Sequence, residues 1–401
     1  MAWRPLPGLA HGRWTIRGLH NTITRLKAIR QRLEVPGATD DHLEMFGGFG
    51  TNPGRLKART YIPRSLRAEA PLVVVLHGCT QSASGYDRGA GWSKAADEHG
   101  FAVLFPEQQR ANNPNLCFNW FSPHHAARGK GEALSIRQMV GAMQAKHGTD
   151  PSQVFVTGLS AGGAMAAIML ATYPDVFAGG AIIAGLPFGT AQSVPEAFER
   201  MRGHGGAGPE ALGGLVRSAS SHKGPWPILS VWHGTADATV DPGNARAIVD
   251  QWRAVHGLAE APSRIDKIDG YPHRVWNDAW GRPAVEEYVV TGMGHGAPLS
   301  TSADHGEVAG PHMLEAGISS TRRTLAFGES TTHPRSATGS PRELPRMIHR
   351  KRRLSSIDRK RRLAAFKKRS RTHCESPACF AELSYSALAG ARLSTSVGSP
   401  L

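Results

Sequence analysis

Short apolar runs alternate with segments of helical spacing through the middle of the chain. Consecutive apolar residues such as 72–76 are typical of a strand buried on both faces, whereas apolar residues three or four apart predict helices. Their alternation predicts an α/β fold with a mostly parallel sheet and helices on both faces. Residues 190–225 interrupt the alternation and are expected to form an insertion over one edge of the sheet. The predicted strands are 59–62, 72–76, 102–105, 154–156, 181–184, 228–232 and 285–290, and the predicted helices are 93–99, 131–147, 163–173 and 245–255.

Both ends of the chain depart from this pattern. Residues 15–34 carry apolar positions three or four apart among Arg and Lys, which predicts a basic amphipathic helix, either packed on the surface or in contact with a membrane or partner. From about residue 328 onward, Ser, Pro and dense basic clusters replace the apolar pattern, and disorder or isolated helical turns are expected. The predicted organisation is a helix and linker at 1–44, a main α/β domain at 45–327 and a basic tail at 328–401.

Charge changes this picture only for the tail. The formal net charge of +15 would suit a nucleic-acid-binding protein, but 15 Lys and Arg against two acids lie between residues 335 and 371. The rest of the chain is close to neutral, so charge says nothing about what the main domain binds. Binding of nucleic acid or another anionic polymer is therefore an alternative for the basic tail alone. A solvated extension or the product of a shifted reading frame is the other interpretation of that tail.

Several classes of protein are not supported by the sequence. No run of 18 apolar residues is present, so no transmembrane helix is predicted. The first residues are interrupted by Arg4 and Pro5 and do not have the continuous apolar stretch of a secretory signal. Four cysteines fall into two pairs without metal-ligand spacing, so a zinc site is not predicted. The pairs are Cys79 with Cys117 and Cys374 with Cys379.

A serine flanked by glycines follows one of the predicted strands. The segment Gly158–Gly162 (GLSAG) lies between the apolar run 154–156 and an Ala-rich helical segment that ends before Pro174. A sharp strand-to-helix turn lifts a serine hydroxyl above the sheet, and the glycines let strand and helix approach closely. We therefore expect Ser160 to be a nucleophile, with a plain strand–helix turn as the alternative.

A serine hydroxyl is a weak nucleophile alone and needs a base and an orienting carboxylate. For a serine on this kind of turn, the acid comes next in the chain and the histidine last. Asp237 lies in the exit loop after the predicted strand 228–232 and is the expected acid. Asp241 is the competing candidate, although it could instead cap the helix that begins near Gly243.

The expected base is His295, which follows the predicted strand 285–290 and has a glycine on each side. A histidine on such a flexible turn has little packing reason to be there. His305, ten residues later, is a weaker alternative. His77 and His233 directly follow predicted strands, and we expect them to hydrogen-bond loop backbone.

Two backbone N–H groups are needed to bind the oxyanion of a tetrahedral intermediate. Ala161, directly after the serine, and Cys79, after the strand 72–76, are the expected donors. Cys79 could also be a simple buried or disulfide-bonded cysteine. A Cys79–Cys117 bridge is a hypothesis that is compatible with the donor role, because it would brace the oxyanion loop.

Together these motifs resemble the polyhydroxybutyrate (PHB) depolymerase esterase family, which is related to feruloyl and acetylxylan esterases, over about residues 45–327. The resemblance implies an α/β-hydrolase fold, the three catalytic residues named above and the Cys79 backbone in the oxyanion hole. It also implies that Trp120 lines the substrate groove, with a core aromatic as the alternative. The segments that carry the resemblance are Leu76–Gln81, Asn115–Phe121, Gly158–Gly163, His233–Asp237 and Gly292–Gly296.

The implied function is a serine esterase that cleaves poly- or oligo-(3-hydroxybutyrate) through an acyl-enzyme, with no cofactor or metal. Feruloyl or acetylxylan-type activity is the alternative with the same mechanism, and a non-catalytic binding module is an alternative of another class. Members that act on extracellular polymer usually carry a signal peptide and often a polymer-binding domain, and this sequence displays neither. An extracellular location is expected from the family, with a cytoplasmic one as the alternative. Similar members end soon after a helix expected here at 314–320.

Overall fold

A ten-stranded sheet runs through the computed structural model, which describes residues 42–302 and 304–332. The strands lie side by side in the order β1-β2-β4-β3-β5-β6-β7-β10-β9-β8. They are β1 (Glu44–Met45), β2 (Lys57–Tyr61), β3 (Leu72–Leu76), β4 (Ala102–Glu107), β5 (Val154–Leu159), β6 (Gly179–Ile183), β7 (Ile228–Gly234), β8 (Arg264–Ile268), β9 (Tyr271–Asn277) and β10 (Pro283–Val290). A separate parallel pair consists of β11 (Ala297–Leu299) and β12 (Met313–Glu315).

The centre of the large sheet is parallel, and its two sides are antiparallel. Strands β4, β3, β5, β6, β7 and β10 pair in parallel, whereas β1 and β2 on one side and β9 and β8 on the other run antiparallel to their neighbours. The carboxyl ends of the six parallel strands therefore meet at one edge, where α/β sheets place their ligands. The helices are α1 (Ala83–Ala90), α2 (Trp92–His99), α3 (Gly131–His147), α4 (Ala161–Thr172), α5 (Val194–Met201), α6 (Pro209–Ser218), α7 (Gly243–His256) and α8 (Ser320–Thr332).

Strand β3 shows why apolar runs form the interior of this sheet. All five of its residues are buried. Leu72, Val74 and Leu76 belong to one apolar cluster, and Val73 and Val75 belong to a second. Because side chains alternate across a strand, these clusters occupy opposite faces of the sheet. Both faces are covered, as expected for a parallel sheet.

The predicted elements of the sheet are confirmed. Each of the seven predicted strands and four predicted helices is present, with ends displaced by at most three residues. The interrupted stretch 190–225 contains two short helices, α5 and α6. The sequence did not predict helix α1 or the antiparallel pair β8 and β9. Residues of β8 are exposed or part-buried and those of β9 part-buried or buried, and neither strand is an apolar run.

One expectation at the carboxyl side is wrong. The stretch 314–320 is not a helix, because Leu314 pairs with Pro298 in the small sheet and Gly317 takes a left-handed conformation. Helix α8 passes through residue 328, near which the tail is expected to begin, and ends at Thr332. Residues beyond Thr332, and with them most of the basic tail, lie outside the described residues, as does the helix predicted at 15–34.

Two further features concern membrane and metal binding. Among the helices that the structure describes, none has both the length and the apolar character needed to cross a bilayer. Across the same residues, no three His, Cys, Asp or Glu side chains are grouped so that they could hold a metal ion.

Candidate active site

Ser160 occupies a sharp turn between β5 and α4. Its backbone has φ 58° and ψ −118°, a strained conformation for a residue with a side chain. The turn is tight because glycines flank the serine. A Cβ added to Gly158 would lie 2.4 Å from the backbone of Gly162, so strand and helix could not approach as they do with any other residue there.

Asp237 and His295 are joined by a hydrogen bond. The buried Asp237 follows β7, and its Oδ1 accepts from the backbone N–H groups of Thr239 and Val240 at 2.8 and 2.9 Å. Its Oδ2 lies 2.7 Å from His295 Nδ1, which must donate because a carboxylate only accepts. Burial raises the pKa of Asp237, but hydrogen bonds from His233 and His295 outweigh burial and hold this pKa well below its usual range. The carboxylate is therefore ionised and fixes the orientation of the His295 ring.

The serine, the acid and the histidine each follow the carboxyl end of a parallel strand, namely β5, β7 and β10. These ends are connected through the backbone. Ser160 donates its backbone N–H to the Ile183 carbonyl at the end of β6, at 2.9 Å. The Ala236 N–H donates to the Met293 carbonyl at 3.0 Å, and a Cβ on Gly234 would lie 2.2 Å from that same oxygen. The loops of the acid and the histidine are therefore in direct contact.

The turn that contains Cys79 packs against the start of α4. A Cβ on Gly162 would lie 2.2 Å from the Leu76 carbonyl oxygen and 2.5 Å from that of His77, so only glycine permits this contact. Ala161 opens α4, where backbone N–H groups of the first turn have no intrahelical acceptor. In the part of the chain that the structure describes, the N–H of Cys79 also has no acceptor. Two N–H groups beside the serine are thus available to bind an anion.

Hydrogen bonds and a disulfide hold this turn in place. His77 behaves as predicted, since Nδ1 donates to the Gly78 carbonyl at 2.7 Å and Nε2 accepts from the Gln108 backbone at 3.1 Å. The connections that fix the turn are the Cys79–Cys117 disulfide, the hydrogen bond from Thr80 N–H to the Asn115 carbonyl at 2.7 Å and the hydrogen bond from Gly78 N–H to Gln81 Oε1 at 2.7 Å.

Comparison with known proteins indicates the family of this chain. Residues 57–266 match the family model described as Esterase PHB depolymerase. The chain belongs to this family. It is 48% identical over 291 residues to poly(3-hydroxyalkanoate) depolymerase C of Paucimonas lemoignei, a match that covers 72% of this chain and 70% of that protein. Feruloyl esterase B of Talaromyces stipitatus is 30% identical over 269 residues, with 65% of this chain and 74% of that protein covered.

A solved structure is also similar to this PHB depolymerase family esterase. The acetyl xylan esterase from Aspergillus awamori matches with a TM-score of 0.59 and 28% identity, covering 63% of this chain and 93% of that chain. The protein therefore has the α/β-hydrolase fold and is a carboxylic ester hydrolase. The predicted family, fold class and enzyme class are confirmed.

In this esterase Trp120 is 8% exposed and lies within the apolar cluster on the α3 and α4 side of the sheet. It contacts Phe121 edge-to-face, with ring centroids 5.7 Å apart. This is the packing of a core aromatic, and a role in the substrate groove stays a prediction.

A buried carboxyl group holds the segment that contains Trp120. Glu132 accepts from the backbone and side-chain amides of Asn119 at 2.8 and 2.7 Å and from Gln108 Nε2 at 2.7 Å. Gln108 Nε2 also donates to the Cys117 carbonyl at 3.1 Å. Burial raises the pKa of Glu132 to about 7 in spite of these bonds. Glu132 thus anchors the segment that is bonded to the Cys79 turn.

Asp241 and His305, the alternative acid and base, make other contacts. Asp241 Oδ1 accepts from the Gly243 N–H at 2.8 Å, at the first residue of α7, but the N-cap residue of that helix is Pro242 and not Asp241. The backbone carbonyl of His305 lies against Gly91 and accepts from Arg322 Nη2 at 3.4 Å. The hydrogen bond to Asp237 comes from His295 instead.

Two histidines that contact the Asp237–His295 pair were not predicted from the sequence to do so. His233 bonds loop backbone as predicted, through the Val240 carbonyl at 3.0 Å, but its Nε2 also lies 3.2 Å from Asp237 Oδ2. The Nδ1 of His312 donates to the His295 carbonyl at 3.1 Å, and the two rings meet edge-to-face at 5.7 Å. The short spacing His-Gly-X-X-Asp could have indicated the first contact, whereas nothing in the sequence indicated the second.

Proposed function

We propose that Ser160, Asp237 and His295 form the catalytic triad of an esterase that hydrolyses poly- or oligo-(3-hydroxybutyrate). The observation that carries this proposal is the 2.7 Å hydrogen bond from His295 Nδ1 to the buried Asp237 carboxylate. Ser160 occupies a strained strand–helix turn at the same edge of the sheet as these two residues.

The mechanism follows from these positions. His295 Nε2 takes the proton of the Ser160 hydroxyl as its oxygen attacks the ester carbonyl carbon. The N–H groups of Cys79 and Ala161 bind the oxygen that becomes negative. Protonated His295 then gives its proton to the departing alkoxide, which leaves an acyl group on Ser160. Water, deprotonated by His295, attacks this acyl-enzyme and releases the acid, while Asp237 stabilises the imidazolium that forms in each half.

The 48% sequence identity to a protein named poly(3-hydroxyalkanoate) depolymerase C supports a hydroxyalkanoate ester as the substrate. The sequence identities of 28% to an acetyl xylan esterase and 30% to a feruloyl esterase support the second candidate substrate, an aromatic or acetyl ester of a plant polysaccharide. Both candidates use the same triad, so they differ only in the acyl and alcohol groups that the site accepts.

We propose an extracellular location. The Cys79–Cys117 disulfide supports it, since such bonds persist in oxidising compartments. Peptide mapping of protein from the native host, without reductant, would identify the linked peptide. Recovery of both cysteines as free thiols would contradict this location.

The test of the triad is a set of matched variants. Ser160→Ala, Asp237→Asn and His295→Ala should each reduce kcat by about 10³-fold or more with the fold intact. Asp241→Asn and His305→Ala are the controls and should retain activity within a few-fold. A Ser160→Ala variant within tenfold of the wild type would refute the proposal. The substrate is decided by kcat/KM for hydroxybutyrate trimer, methyl ferulate and acetylated xylan.

A further inference from the structure

A second histidine lies against the carboxylate that orients His295. His233 is 3% exposed and lies on β7, four residues before Asp237 and beside Val289 of β10. Its Nε2 is 3.0 Å from the Val240 carbonyl and 3.2 Å from Asp237 Oδ2. Both of these oxygens can only accept, so Nε2 carries the proton and is shared between them.

The opposite ring nitrogen of His233 lies in a different environment. Its Nδ1 is buried and, within the residues that the structure describes, has no hydrogen-bond partner. Protonation there would bury an N–H group with no acceptor, which is costly in the interior. The ring is therefore held in the one form that donates from Nε2.

Asp237 Oδ2 thus receives two imidazole N–H groups, one from His295 at 2.7 Å and one from His233 at 3.2 Å. The other oxygen is occupied by the backbone donors of Thr239 and Val240. Each donor stabilises the ionised carboxylate and makes it a weaker base. A weaker base leaves the proton on Nδ1 of His295 and attracts the imidazolium less strongly.

From this arrangement we propose that His233 is a positioning residue for the ester hydrolysis. By donating to Asp237 Oδ2, it fixes the carboxylate plane and sets the pH at which His295 loses activity by protonation. This inference rests on the triad proposed above, since it concerns the partner of its acid.

One other ionisable group contacts the pair from a different element. His312 precedes β12 and donates from Nδ1 to the His295 carbonyl oxygen. Burial lowers the pKa of His312, although its hydrogen bond to the His295 carbonyl acts in the opposite direction.

The test compares three variants by the pH dependence of kcat/KM on a p-nitrophenyl ester. His233→Leu removes the donor. It should move the midpoint of the acid limb up by about 0.5–1 pH unit and lower kcat about tenfold, as expected for one hydrogen bond lost to an ionised group. His233→Gln keeps an N–H near the Nε2 position and should restore most of both. The part-buried His256, whose Nε2 contacts the Pro227 carbonyl at 3.0 Å, supplies the control His256→Leu, which should not move the midpoint.

Titration with a fluorophosphonate counts the folded active sites, so a fraction of unfolded protein does not imitate a lower kcat. If His233→Leu leaves the midpoint within 0.2 pH unit of wild type while Asp237→Asn is inactive, the role of His233 is refuted and the triad stands. If Asp237→Asn is itself active, the triad is refuted. A fall in kcat without a shift of the midpoint, or one that Gln fails to rescue, would make His233 purely structural.

Discussion

Replacing Gly162 with alanine distinguishes two effects at the candidate site. One is the helix propensity of this residue, and the other is the close contact between α4 and the turn that contains Cys79. Gly162 is the second residue of α4, and alanine is favoured over glycine inside a helix by about 0.5–1 kcal/mol. On helix propensity alone, Gly162→Ala should stabilise the protein. The structure predicts the opposite, because the new Cβ would lie 2.2 Å from the Leu76 carbonyl oxygen and 2.5 Å from that of His77.

The size of the expected loss of stability depends on which segment can move to relieve these contacts. Both contacts are with backbone, and real Cβ atoms essentially never approach other atoms within 3.0 Å, so one segment must shift by most of an ångström. Overpacking of this kind costs about 1–3 kcal/mol. The shift would also separate the N–H of Cys79 from that of Ala161. Loss of one oxyanion donor lowers kcat by about 10²–10³-fold.

The assay is urea unfolding together with kcat on a p-nitrophenyl ester. Gly214→Ala is the matched control, since Gly214 lies in helix α6 and has no atom within 4 Å of an added Cβ. It should gain a few tenths of a kcal/mol up to about 1 kcal/mol and keep full activity. Gly162→Ala should lose both stability and activity. If it proves as stable and as active as the control, the contact between α4 and the Cys79 turn is not tight, and this reasoning fails.

Two other predictions concern groups that hold the site. Burial raises the pKa of Glu132 from 4.5 to about 7, so the folded protein keeps a proton that the unfolded chain releases in this pH window. The contribution of Glu132 to the free energy of unfolding should therefore fall from pH 4.5 to 7 by up to about 3 kcal/mol. Glu132→Gln cannot titrate and should lack this contribution, so the difference in stability between wild type and variant should change by that amount; parallel Tm curves over that range would contradict the assignment. The Cys79–Cys117 bridge spans 38 residues, and a double alanine variant should lose about 4 kcal/mol by the chain-entropy estimate and also lose kcat. Unchanged urea unfolding and unchanged turnover would show that the bridge braces nothing.

Much of the candidate site could be predicted because its requirements are local. The glycines around Ser160 are needed by a turn of a few residues, and such needs appear directly in the sequence. Asp237 and His295 could be placed because parallel strands end at one edge, so a residue just after an apolar run is positioned by that run. The hydrogen bond between them was the expected consequence of this order.

The contacts that the sequence did not reveal depend on pairing between distant segments. His312 reaches the His295 carbonyl because β11 and β12 pair, and each has only three residues, too few for a periodic signal. The helix expected at 314–320 from similar family members is absent for the same reason, since Leu314 and Glu315 pair with β11 instead. Trp120 was assigned to a groove by resemblance, and its burial in the core could not be read from its neighbours.

The strained backbone of Ser160 has a consequence for the evolutionary history of such enzymes. A left-handed conformation costs a residue with a side chain on the order of 1–3 kcal/mol, and glycine would adopt it without that cost. The most stable residue at this position is therefore one that cannot act as a nucleophile. A duplicated copy released from selection for turnover would gain thermal robustness by a Ser-to-Gly change, so inactive paralogues of this esterase should carry glycine at the turn more often than chance allows.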